Sequence, residues 1–166
     1  LKKFQIPEEN YFIHISESNY ARKNIFRLFD AYKKAKALGL NHRLILVGKY
    51  LPPVKQKADE IPGIKLLGYV SDEHLSELIQ GSDALVLPSL HEGFGMPLVE
   101  AMSCGVPCIT SNRHAPPEIV GDSGLLVDPY DTSDIANKMI ELGKNKELLT
   151  NLSKQALERS KDFSWD

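Results

Sequence analysis

At 166 residues the chain has the length of one domain and enough of it to bury a real core. A net charge of -2 leaves no electrostatic footprint for nucleic acid or for an acidic membrane surface. The 42% hydrophobic content is ordinary, no apolar run approaches a membrane span and no signal peptide heads the chain, so a soluble domain is expected.

Leu1 to Asn10 is polar, carries a proline and reads as an incoming linker. Tyr11 to Ser16 (YFIHIS) is the first strand, followed by a polar loop, Glu17 to Ala21, and by a helix from about Arg22 to Leu38. Ile25, Leu28, Phe29, Tyr32 and Ala35 fall at helical spacing there, and Gly39 closes the helix. Arg43 to Val47 is the second strand, with a turn at Gly48, Pro53 to Glu60 a short helix, and Ile64 to Leu67 the third strand. Ser71 reads as the N-cap of a helix over Asp72 to Gln80, and Ala84 to Pro88 (ALVLP) is a fourth strand of buried type. A helix over Pro97 to Cys104 follows, then a brief strand at Cys108 to Thr110 and a helical turn at Pro116 to Val120. Leu125 to Val127 is the sixth strand, Asp131 caps a helix running to about Leu142, and a last helix spans Lys146 to Ser160. There is no internal repeat or low-complexity segment.

This alternation predicts an α/β fold, a doubly wound parallel sheet of about six strands with helices on both faces. Ligands in such sheets bind at the carboxyl ends of the strands, near the point where strand order reverses. The loops after Ser16, Val47, Leu67, Pro88 and Thr110 therefore share one edge.

On that edge His91 to Pro107 (HEGFGMPLVEAMSCGVP) has the form of a strand, glycine loop, helix anion site. Gly93 and Gly95 let the backbone turn tightly and approach a ligand, Pro97 suits the first helical position, and Gly105 with Pro107 ends the helix. The N–H groups at the helix start, reinforced by the macrodipole, attract phosphate. Glu92 sits in the loop and Glu100 one turn into the helix, amid Leu98, Val99, Ala101 and Met102, where burying a carboxylate is expensive unless something hydrogen-bonds to it. Ionised carboxylates accept well from sugar hydroxyls. The same residues also fit an ordinary α/β unit, in which the glycines only make a turn and Glu100 favours a helix N-terminus. Arg22 and Lys23 at a helix N-terminus oppose its dipole, so solvent or an anion must answer them. Cys104 and Cys108 read as two small buried residues rather than a metal site. His14 falls inside the apolar first strand, packed or satisfied, His91 abuts Glu92, and His42, His74 and His114 read as surface or loop residues.

Glu92, seven residues and Glu100 around GFG, with the EAMSCGVP helix, resemble the donor-site motif of the family 4 retaining glycosyltransferases of GT-B fold. The resemblance runs from Tyr11 to the Phe163, Ser164, Trp165 stretch and covers only the C-terminal, donor-binding, Rossmann-like half, with the N-terminal acceptor domain absent. It implies that Glu92 contacts donor-sugar hydroxyls, that Glu100 holds the ribose, and that the backbone of Gly93, Phe94, Gly95, Met96, Pro97 and Leu98 meets sugar and diphosphate. It also implies that Lys23 grips the diphosphate with help from Arg22. Many members carry a glycine-arginine pair just after the first strand, where this sequence has Ser16 and Glu17, so Arg22 either takes over that charge or points to solvent. Tyr69 and Val70 occupy the position that cradles the base, with Asp72 open to a guanine edge and equally at home as an acidic first-turn residue. Pro116 to Gly124 also matches, its preceding loop lining the donor pocket, with Glu118 there or merely at a helix start.

What the resemblance implies of function is a hexosyl- or mannosyltransferase when full-length, inactive as an isolated fragment, in polysaccharide biosynthesis. The donor is a nucleotide-diphosphate sugar, GDP-mannose or a UDP-hexose, and the acceptor a glycan or lipid met through the missing domain. No cofactor, metal, nucleic acid or membrane contact is implied for this domain, and the location is the cytoplasm or the inner membrane face. The second class is a non-catalytic nucleotide-binding or interaction module that keeps the fold. An NAD-dependent Rossmann enzyme fails, because no GxGxxG follows the first strand.

Overall fold

The computed structural model describes residues 1–6, 8–17 and 21–164. Pro7 of the incoming segment, residues 18–20 of the polar loop, and Trp165 lie outside the described residues. Six parallel strands form one sheet: β1 (Tyr11–Ile15), β2 (Arg43–Val47), β3 (Ile64–Gly68), β4 (Ala84–Leu87), β5 (Cys108–Ser111) and β6 (Gly124–Val127). Their order is β3-β2-β1-β4-β5-β6, so all carboxyl ends share an edge and strand order reverses between β1 and β4. There Phe12 pairs with Ala84 and Ile13 with Leu85.

The strands read as near-continuous apolar runs because both faces are covered. Phe12, Leu44, Leu46, Val86 and Ile109 face one core with α1 (Ile25–Ala37), α2 (Pro52–Asp59) and α6 (Thr132–Lys144). Their alternates Tyr11, Ile13, Ile45, Leu85 and Cys108 face a second core with α3 (Asp72–Gln80), α4 (Met96–Ser103) and α5 (Pro116–Val120). The last helix, α7 (Lys146–Ser160), closes the edge, giving Leu152 to the first core and Ala156 to the second. The segment ahead of β1 docks on this frame: Ile6 is buried, and Lys65 Nζ donates to the carbonyls of Phe4 at 2.6 Å and Gln5 at 3.0 Å.

Several sequence expectations shift by a residue or more, each for a local reason. The helix expected from Arg22 starts at Ile25, because Asn24 adopts a left-handed conformation (φ 61) that stops it, and Arg22 to Asn24 form a turn. Met96, not Pro97, is the first residue of α4; Pro97 is the second. Of the two glycines expected to turn tightly, only Gly95 is left-handed (φ 83), and Gly93 instead borders open space. His42 lies in the loop before β2, one of its two expected settings, but not at the surface: it is buried, stacked on Phe12 with centroids 4.5 Å apart, and its Nε2 lies 2.6 Å from Asp83 Oδ2. His74 is half-buried, with Nδ1 2.8 Å from Ser71 Oγ, while His91 and His114 are exposed. Cys108 is buried as read, whereas Cys104 is only half-buried.

Candidate donor site at the sheet's carboxyl edge

The turn after β1 carries Lys23 to the loop after β4. Its ammonium pairs with Glu92 Oε1, and the two residues are only 9% and 8% exposed. Ser89 Oγ donates to the same carboxylate oxygen at 3.1 Å. An internal anion thus answers Lys23. Arg22 is exposed, and its carbonyl accepts the Leu90 N–H at 2.9 Å, joining the two loops.

Asn24, unassigned by the sequence reading, locks this turn. Its Nδ2 donates to the carbonyls of Pro88 at 2.9 Å and Pro129 at 2.6 Å, and its Oδ1 accepts from Arg27 Nη1 at 3.0 Å. Three loops of the edge meet on one side chain. The signal was available, since asparagine tolerates the left-handed region better than most residues.

Beneath the ion pair His14 is packed inside and satisfied, as its place in the first strand predicts. His14 Nδ1 is 2.8 Å from the Val86 carbonyl and Nε2 is 3.0 Å from Ser16 Oγ. Tyr50 contacts Ser16 Oγ at 3.5 Å and donates to the Val47 carbonyl at 3.0 Å. Burial pushes the His14 imidazole down to about 4; the Val86 carbonyl and Glu92 favour its charged form, while the Lys23 ammonium disfavours it. Neutral His14 therefore donates Nδ1–H to Val86 and accepts the Ser16 hydroxyl proton at Nε2. Burial likewise pushes the Tyr50 phenol up to about 12. Gly48 makes this junction possible: a Cβ there would stand 1.8 Å from the Ser16 carbonyl oxygen.

Beyond Glu92, the glycine loop runs into α4. Gly95 is its N-cap and no side chain caps it, so its first turn presents backbone rather than side-chain polarity. A hollow of about 700 Å³ opens beside Gly93 and Phe94, walled by Ala115, Pro117 and Ile119. Phe94 meets the Phe163 ring edge-on at 6.2 Å, Met96 is exposed and Leu98 is buried. Glu118 is exposed on α5, its carbonyl accepting Arg159 Nη2 at 2.5 Å.

Glu100 departs from its expected setting. Leu98, Ala101 and Met102 turn to the core, and Glu100 falls on the opposite stripe of α4, exposed toward α3. It borders a cleft of about 270 Å³ with Asp72, Leu75, Ser76 and Ser103. Partial burial in that cleft, then the nearby Asp72 carboxylate, raises its pKa. At the neighbouring corner Gly68 is left-handed (φ 69), Tyr69 is 76% exposed and Val70 is buried.

The switch point thus brings together Lys23, Glu92, the glycine loop and the start of α4, with Glu100 and Tyr69–Val70 toward α3. This is the layout of a doubly wound α/β domain that binds its ligand outside the carboxyl ends of the strands. Residues 1–159 match the family model of the group 1 glycosyl transferases, and the chain belongs to that family. It is 35% identical over 173 residues to O-antigen chain mannosyltransferase B of Escherichia coli, covering 100% of this chain and 45% of that protein. It is also 35% identical over 167 residues to N-acetyl-alpha-D-glucosaminyl L-malate synthase of Bacillus anthracis, covering 95% of this chain and 42% of that one. The chain therefore spans less than half the length of these relatives. Among solved structures, the C-terminal domain of a group 1 family glycosyl transferase (LpcC) from Francisella tularensis superposes with a TM-score of 0.81 at 22% identity. That match covers 97% of this chain and 90% of that one. HepE of Anabaena, solved in complex with UDP and glucose, gives 0.80 at 22%, over 92% of this chain and 44% of that one. Among the described residues no helix is long and apolar enough to cross a membrane.

Proposed function

We propose that the chain is the donor-binding domain of a retaining mannosyl- or hexosyltransferase, taking a nucleotide-diphosphate sugar for transfer to a glycan or lipid acceptor in the cytoplasm or at the inner membrane face. The observation that carries this is the buried Lys23–Glu92 pair beside the uncapped start of α4. One group suits a diphosphate and the other a sugar, at the place where such sheets hold ligands. GDP-mannose is the favoured donor, in keeping with the mannosyltransferase names of relatives matching nearly the whole chain. A UDP-hexose stands next. Those relatives do not favour a non-catalytic module.

In this reading the bond between the anomeric carbon and the diphosphate oxygen breaks as one forms to an acceptor hydroxyl oxygen, the electron pair leaving with the nucleoside diphosphate, which takes up the hydroxyl proton. Lys23, helped by Arg22, and the backbone of Met96 to Leu98 stabilise the charge developing on the diphosphate, a preorganised electrostatic effect. Glu92 accepts sugar hydroxyls and orients the ring. Its Oε1 keeps the Ser89 hydroxyl and takes up sugar hydroxyls as Lys23 turns to the diphosphate, so it holds the ring rather than attacks it. Glu100 takes the ribose hydroxyls from the rim of the α3–α4 cleft, and Tyr69 and Val70 flank the base. The isolated chain binds donor weakly and transfers little, the acceptor domain being elsewhere.

Calorimetric titration with GDP, UDP and ADP tests this. One nucleotide binds saturably, and Glu100→Ala weakens it by about tenfold or more, the value of a charge-assisted hydrogen bond. Because Glu100 is exposed, that variant keeps the fold. Unchanged affinity would remove the ribose role.

A further inference from the structure

Lys23 and Glu92, the two halves of the proposed donor site, occupy each other. Lys23 and Glu92 are both buried, and Glu92 has, among the described contacts, only Lys23 and Ser89 as hydrogen-bond partners. Ser89 stands three residues before Glu92 and is itself 1% exposed, so it fixes where the carboxylate sits. Lys23 reaches Glu92 through a flexible four-carbon stem, which makes it the partner able to swing away. We propose that Ser89, Glu92 and Lys23 form a self-occupying latch by which the site distinguishes a nucleotide-diphosphate sugar from the bare nucleoside diphosphate. The inference rests on the donor-site reading above.

The reasoning is one of charge balance. A bare nucleoside diphosphate that draws Lys23 onto its phosphates leaves Glu92 buried without its cation, and a stranded buried charge is costly. A nucleotide sugar brings hydroxyls along with its phosphates. They donate to Glu92 as Lys23 leaves, so both halves stay satisfied. After the sugar has departed, Glu92 lacks those donors again and draws Lys23 back, which weakens the hold on the spent nucleotide. Glu92 thus favours substrate over product by making the product's binding incomplete. Ser89 tunes this, because every hydrogen bond it gives Glu92 lessens the carboxylate's demand on Lys23.

The test is calorimetry of this chain with GDP, UDP, GDP-mannose and UDP-glucose, on the wild type and on Glu92→Gln, Lys23→Met, the double variant and Ser89→Ala, with thermal unfolding to verify folding. Glu92→Gln frees Lys23, so the nucleoside diphosphate that binds does so about tenfold more tightly, while the preference for its sugar derivative is lost. In the Lys23→Met background the same exchange moves that affinity by no more than about twofold, which separates the latch from mere removal of negative charge. Ser89→Ala, a neutral change, weakens the bare nucleotide by about threefold and the nucleotide sugar less, because Glu92 then leans harder on Lys23. That arm stands even if Lys23→Met fails to fold. Unchanged or weaker nucleoside diphosphate binding in Glu92→Gln would overturn the latch. So would equal tightening in both lysine backgrounds, or a Ser89→Ala variant that binds as wild type. Absence of binding of all four compounds to every protein would overturn the donor-site reading itself, and the latch with it.

Discussion

His14 makes the stability of this domain sensitive to mild acid, with a sign and size that follow from its position. Buried under the switch point, its imidazole is held down from its ordinary 6.5 to about 4. The folded value lies below the unfolded one, so the unfolded chain takes up the proton first. Stability is therefore full above about pH 6.5 and is lost as the pH falls toward about 4. At about 1.4 kcal/mol per pH unit, the loss from this one residue is about 2 kcal/mol between pH 7 and pH 5, and about 3 kcal/mol once both states are protonated. That is a large part of the stability of a typical domain. Urea unfolding at pH 7 and pH 5 reads it, with His14→Gln as the comparison. Glutamine offers an amide to Val86 but does not titrate, so the variant starts less stable and loses about 2 kcal/mol less over that interval. Equal losses in wild type and variant would show that His14 charges freely in the folded state. The neutral tautomer bridging Val86 and Ser16 would then be wrong.

Two further outcomes follow from the same junction. Gly48→Ala sets a Cβ 1.8 Å from the Ser16 carbonyl at a φ of +137, so thermal unfolding should show a loss exceeding about 4 kcal/mol, or no folded protein. Asn24→Ala gives up hydrogen bonds to Pro88 and Pro129 and forces alanine into a left-handed turn. Urea unfolding should show a loss of about 3 kcal/mol, and Asn24→Gly should recover only the conformational share of it.

The fold was legible because its signals are local and mutually consistent. Apolar runs at Tyr11, Arg43 and Ala84, each followed by a helical pattern, leave a parallel doubly wound sheet as the natural arrangement, and Ser71 and Asp131 cap the helices they precede. The boundaries that slipped did so where backbone conformation departs from pattern, as at Asn24, whose left-handed φ no periodicity reveals. The apolar sequence neighbours of Glu100 are not its spatial ones: at 100° per residue they turn inward and it turns out. His42 is buried because it stacks on Phe12 and pairs with Asp83, and Asp83 is a neighbour far away in sequence. Motif reading could find Lys23 and Glu92 separately. Their partnership depends on β1 lying beside β4, which only the strand order supplies.

That partnership also explains why the hollows of the carboxyl edge are a poor guide to its chemistry. The hollow of about 700 Å³ beside Gly93 is lined by Phe94, Pro117 and Ile119 and includes neither Lys23 nor Glu92. A site built of one buried cation and one buried anion cannot stand open, because each charge without water needs the other. Under the proposed latch it closes on itself until a ligand of matching charge pattern replaces both contacts together. Around the pair, Ser89 Oγ donates to the Glu92 carboxylate, Asn24 ties its turn to the Pro88 carbonyl, and His14 is hydrogen-bonded to Ser16. Under the proposed latch the space for the ligand is made by displacing Lys23, and affinity is set less by volume than by how completely the incoming molecule satisfies Glu92.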